Sequence, residues 1–154
     1  MSTRTSAGSV IAITASAPTT FDATGFGALT PTEIGEVTNI GDFGRVYNKV
    51  AYNPLKTRAT QKRKGSYDPG ALNLQLAIDD AGDAGQTLLR TALLSDNDYY
   101  FCITTQSGAK VFFKGQVFSF KENVGGVDDM YNATCTIEIN AHTTGVDFVR
   151  VAAP

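Results

Sequence analysis

Cys102, Cys135 and His142 are the residues whose types come nearest to catalytic or metal chemistry, and their spacing supports neither. A zinc site needs three or four Cys and His ligands at set intervals; this chain has two separated cysteines and one histidine beyond the last clear strand. A cysteine nucleophile wants its thiol at a helix start or glycine-rich turn, where its pKa falls. Both cysteines lie instead inside strand-like runs and read as reduced, minor packing residues. Asp42-Phe43-Gly44 spells the metal-binding triplet of protein kinases, but the glycine-rich loop, the strand lysine and the catalytic-loop signature are missing. Gly25-Phe26-Gly27 lacks the full glycine spacing of a phosphate cradle. Asp79, Asp80 and Asp83 lack the ligand spacing and closing glutamate of a calcium loop, whereas a helix start explains them directly. Asn132-Ala133-Thr134 fits a glycosylation sequon, but in a strand of a chain without a signal segment. The sequence reads as non-enzymatic, with no metal site and no cofactor.

What remains is charge. Lys56, Arg58, Lys62, Arg63 and Lys64 are five of the thirteen Lys and Arg residues, packed into nine positions without an acid. Residues 1–55 sum to −1, residues 56–64 to +5 and residues 65–154 to −6. A segment so charged cannot be core; it faces solvent, nucleic acid or another subunit. Strong nucleic-acid binders usually carry overall positive charge, and this chain is net −2. The run also contains no aromatic residue for base stacking, although Tyr47, Tyr52 and Tyr67 flank it. A small β-rich nucleic-acid-binding module using the 56–64 loop is therefore the alternative reading. Contact between identical copies is preferred, because a basic patch on one can meet acidic surface on another.

These residues must be positioned by a mainly β chain. At 154 residues, 42% hydrophobic and 18% charged, the sequence suits one domain that buries roughly 70% of its unfolded surface. No apolar run approaches the roughly 18 residues that span a bilayer, so a soluble chain with no stable membrane association is expected. Residues 1–8 are small and polar and read as a loose arm. A strand is expected at 10–13, loop over 15–31, a second strand over about 32–40, and a long polar connector through Asn53-Pro54 to a turn at Asp68-Pro69-Gly70. Leu72, Leu74, Leu76 and Ile78 alternate with polar residues as a half-buried strand. The single convincing helix follows the aspartates, with Leu88, Leu89, Ala92 and Leu93 forming its packing stripe. Strands are expected at 98–105, at 110–123 with a bend at Gly115, and at 131–140. The order gives a sandwich or barrel-like sheet pair with one flanking helix and a long loop.

Three stretches carry a resemblance: residues 32–44, TEIGEVTNIGDFG; residues 64–68, KGSYD; and residues 83–90, DAGQTLLR. With their order, and over roughly Ala15 to Asn140, the chain resembles the major tail tube proteins of long, non-contractile-tailed bacteriophages. The resemblance implies a single tail tube domain over 1–154, with the arm at 1–8 and a C-terminal tail at 143–154 whose role is open. It implies hexameric rings stacked into a hollow tube, with phage DNA passing transiently through the lumen. Implied partners are sister copies, a tape-measure protein, and tail terminator or tip proteins. The implied location is the virion tail, assembled in the cytoplasm of a bacterial host. In such tubes a long loop reaches the adjacent ring; its counterpart here would place Tyr47, Asn48, Lys49, Tyr52, Asn53, Pro54, Lys56, Arg58, Lys62, Arg63 and Lys64 at that contact.

Overall fold

A computed structural model of the chain describes residues 3–154, so the first two residues of the expected arm lie outside the described residues. Its strands are β1 (Val10–Thr14), β2 (Thr32–Glu33), β3 (Val37–Asn39), β4 (Val46–Tyr52), β5 (Gln61–Asp68), β6 (Ala71–Ala77), β7 (Tyr99–Thr104), β8 (Lys110–Asn123), β9 (Asn132–Asn140) and β10 (Val149–Val151). The helices are α1 (Ala23–Gly27) and α2 (Ala84–Leu93).

Alternation builds the main sheet. Leu72, Leu74 and Leu76 of β6 sit fully buried beside Ile137, Cys135 and Ala133 of β9, each in register with its neighbour. The antiparallel order is β2-β1-β7-β8-β9-β6-β3, and β10 lies against the first residues of β8. Laid flat, seven strands would hold the outer two about 29 Å apart. Yet β2 and β3 are joined by only Ile34, Gly35 and Glu36, a link that reaches about 14 Å at most. The sheet therefore curls into a half-barrel, with its apolar interior closed by α2.

The connection of α2 to that link is specific. The Asp83 carboxylate caps the helix by accepting from the Gln86 amide (3.0 Å), and the same oxygen accepts from the Gly35 amide (3.0 Å). Gln86 is fully buried and donates from Nε2 to the Gly35 and Ala77 carbonyls, at 3.0 and 2.9 Å, while its Oε1 accepts from the Asp79 amide. A Cβ at Gly85 would meet the Glu33 carbonyl oxygen at 2.3 Å, so glycine is what lets the helix lie this close to the link. In the packing stripe Leu89 and Ala92 are buried outright, and Leu88 and Leu93 pack at its margins.

The structure corrects the sequence reading at five places. The expected strand over 32–40 is two strands at opposite ends of the sheet, divided where Gly35 approaches Asp83 and Glu36 turns the chain with φ 59°. The expected loop over 15–31 contains a second helix, α1, nucleated by the Asp22 side chain accepting from the Gly25 amide. Phe26 on α1 stacks on Phe112 at 4.9 Å and, with Cys102 and Val149, forms a small second core on the opposite face. The irregularity in β8 is a shift of register between Val117 and Ser119, while pairing runs regularly through Gly115. The tail over 143–154 supplies β10, and the long connector is a two-stranded sheet of its own.

Candidate assembly interface

The basic connector folds as a finger. β4 and β5 pair with each other and with no strand of the main sheet. Every residue of β4 is exposed, and the pairing places Lys49 opposite Lys64 and Ala51 opposite Lys62. Strand alternation then sorts the side chains. Tyr47, Lys49, Lys62 and Lys64 share one face, whereas Val46, Val50 and Tyr52 share the other with Arg63. Asn48 donates to Ser66 Oγ at 2.9 Å, and at the tip Thr60 Oγ1 donates to Asn53 Oδ1 (2.7 Å) while the Arg58 amide closes a turn on the Pro54 carbonyl. Arg58 holds a left-handed conformation at φ 59°, and Leu55 beside it is 99% exposed. Lys56 is likewise exposed in this tip. All eleven residues assigned to the loop contact thus lie on one projection.

Sequence reasoning missed how the finger is aimed. Arg45, just before β4, grips the Asp147 carboxylate with two nitrogens, Nε at 2.8 Å and Nη2 at 2.9 Å. Its guanidinium lies 3.9 Å over the Tyr67 ring, whose hydroxyl donates to the Gly145 carbonyl at 2.7 Å. Burial alone would push the Asp147 carboxyl up. The hydrogen bonds from Arg45 and from backbone amides outweigh it and hold the group below the usual carboxylate range. The same grip raises the Arg45 pKa. Tyr47 and Tyr67 pack on each other at 5.4 Å, with Lys64 Nζ 4.8 Å from the Tyr47 ring, so these two flanking tyrosines are engaged within the finger base.

Where the finger leaves the sheet, at the start of β6, the end of β9 lies alongside, its Ile139 amide donating to the Gly70 carbonyl. At the far end of β6 the surface changes character. The Ile78 amide donates to the Tyr131 carbonyl, bringing the loop that holds Asp79 and Asp80 against the β8–β9 turn. That turn exposes Val124, Val127 and Met130, together with Asp128 and Asp129. Between the two ends, the sheet face away from the main core presents Asn73, Gln75, Gln116, Thr134, Thr136 and Glu138 on β6, β8 and β9, a mostly polar surface, with Phe118 of β8 also exposed, that no helix covers.

The residues first considered for chemistry are placed elsewhere. Cys135 is fully buried and its thiol is pushed up to about 12 by that burial; burial raises Cys102 as well. His142 stacks on Phe21 at 4.8 Å, and its Nδ1 accepts from the Thr144 amide. Among the described residues, no three His, Cys, Asp or Glu side chains gather as a metal site, and no helix is long and apolar enough to cross a membrane. Phe43 of the kinase-like triplet packs between Phe113 and Phe148.

The fold that carries the finger is tail-tube-like: mainly β, a curled half-barrel with a helix across its interior. A chain of the sheath/tube terminator of the PVC extracellular contractile injection system, in the extended state, superposes with a TM-score of 0.66 at 9% identity, over 99% of both chains. A chain of the six-fold symmetrised baseplate of the anti-feeding prophage gives 0.67 at 8% identity, again over 99% of both. A chain of the PVC sheath-tube complex gives 0.58 at 10% identity, covering 94% of this chain and 88% of the other. At these identities the likeness is one of fold. No family model and no curated protein matches the sequence.

Proposed function

We propose that this protein is a structural subunit of a tail tube: one tail tube domain, six copies of which close a ring, with rings stacking into a hollow conduit for DNA during ejection. The observation that carries the reading is the finger. A two-stranded hairpin alone is marginally stable in water, and this one leaves Val46, Val50, Tyr52 and Leu55 between 50% and 99% exposed. Such an apolar surface, held in a fixed direction by the Arg45–Asp147 grip, is built to be covered. A heterologous contact of this kind closes into rings or repeats into filaments. The sheet face away from the core fits the same picture: the amide- and hydroxyl-rich side chains of β6, β8 and β9 make a channel wall along which DNA slides without being held. The neighbouring folds belong to sheath, tube and baseplate assemblies, which supports the reading.

In this reading the eleven finger residues make the contact between rings, and the chain makes and breaks no covalent bond. Its partners are sister copies, a tape-measure protein, terminator or tip proteins and transiting phage DNA. Its place is the virion tail of a long, non-contractile-tailed phage, assembled in the host cytoplasm. The nucleic-acid-binding alternative wants free aromatics beside the cations, but of the three flanking tyrosines Tyr47 and Tyr67 are occupied with each other and Arg45, which leaves Tyr52 alone exposed beside Arg63. Negative-stain microscopy of the purified protein tests the reading. Rings or tubes about six-fold in projection support it; a monodisperse small particle at every concentration and salt, with salt-dependent DNA affinity, refutes it.

A further inference from the structure

Resting on the tube reading, a more specific question is what the finger touches. The finger, residues 46–68, carries six cations and a single acid, Asp68 at its base, and its exposed apolar residues run to the tip at Leu55. A surface that complements it needs exposed apolar side chains rimmed by acids. The opposite end of β6, about 20 Å away along the strand, has both. Val124, Val127 and Met130 are 68%, 102% and 72% exposed in the β8–β9 turn. Asp128 and Asp129 are in the same turn, and Asp79 and Asp80 stand in the loop bonded beside it through Ile78 and Tyr131.

Two cations stand near this end: Arg90 is paired with Glu122 at 2.9 Å, and Lys121 of β8, opposite Thr134, is exposed, one positive charge against Asp79, Asp80, Asp128 and Asp129. The acids therefore set the sign of this surface. The donor and acceptor surfaces sit at opposite ends of one strand, so no copy can satisfy both within itself, and each copy offers one of each to its neighbours.

We propose that the finger of one copy docks on the β8–β9 turn and the Asp79–Asp80 loop of the next copy along the tube axis. The contact is head to tail: Leu55, Tyr52 and Val50 cover Val124, Val127 and Met130, and the finger cations meet Asp80 and Asp128. Asp79 and Asp129 are left out of the ionic set because their carboxylates already accept from the Ala81 amide at 2.9 Å and the Gly126 amide at 2.8 Å, and shape their turns.

Charge exchange tests it in the full chain. One variant reverses the finger (Lys62→Glu with Arg63→Glu) and another the turn (Asp80→Lys with Asp128→Lys); a third carries all four changes. Sedimentation of assembled material gives the critical concentration of each, and circular dichroism verifies that each variant is folded. Each two-site variant raises the critical concentration at least about tenfold at low salt, while the four-site variant, and an equimolar mixture of the first two, return to within about threefold of wild type. Two-site variants that assemble like wild type, or a mixture that fails to recover, overturn this docking and leave the tube reading standing. A finger-reversed variant that assembles normally but loses DNA affinity assigns the finger to nucleic acid instead. Wild-type protein that never assembles sinks both.

Discussion

The substitution Gln86→Leu isolates the contact that shuts the half-barrel. Leucine matches glutamine closely in volume and suits a buried helix position, so a packing view expects it to be harmless or stabilising. The hydrogen bonds say otherwise. Losing the amide strands the Gly35 and Ala77 carbonyls and the Asp79 amide, all in partly buried surroundings. At about 1 kcal/mol for each orphaned group the loss is about 3 kcal/mol. Burial of the added apolar surface offsets about 1 kcal/mol. The net destabilisation is about 2 kcal/mol, which for a domain of this length lowers Tm by about 4–8 °C. Thermal unfolding followed by far-UV circular dichroism and tyrosine emission measures it, since the chain has six tyrosines and no tryptophan. Gln75→Leu, on the bare polar face of β6, is the control and shifts Tm by less than about 2 °C. A Gln86→Leu protein as stable as wild type, or more so, refutes the claim that α2 is fastened to the β2–β3 link by this side chain.

Two further outcomes follow from the titrating groups. The Asp147 carboxyl is held below its usual range, so the stability it lends the finger base is present above its unfolded value near pH 4 and disappears as pH falls through its lower folded value. Hydrogen exchange in β4 and β5, corrected for intrinsic rates, should rise over that interval, and Asp147→Asn should already show the loosened pattern at pH 7. The two thiols, buried and raised in pKa, should react with a thiol reagent at neutral pH only in denaturant, releasing two equivalents per chain; prompt native-state labelling of Cys135 would contradict its placement.

The sequence made legible whatever was driven by local pattern. Leu72, Leu74 and Leu76 alternate because one face of β6 is interior, and Asp83 precedes a helix because its carboxylate satisfies an unpaired amide. The finger gave no such signal. Neither of its faces packs on the core; Val46, Val50 and Tyr52 share one parity of β4, but β5 has no matching apolar set, and the order of both strands comes from pairing with each other. The division at Gly35-Glu36 was hidden because both halves are strands, and what separates them is a carboxylate 48 positions later. Gln86 carried a readable sign, standing three residues after a capping aspartate as in a capping box. Its side chain, however, turns inward to Gly35 and Ala77, and only the assembled sheet brings those there. Of the finger, the sequence disclosed which residues are basic; Asp147, 102 positions from Arg45, was beyond any local rule.

That last separation has a consequence for biogenesis. The projection is synthesised early, yet the residue that fixes its direction leaves the ribosome some eighty positions after the finger itself is finished. Until Asp147 is made, Arg45 lacks the carboxylate that holds the base of the projection, so its aim is set only near the end of translation.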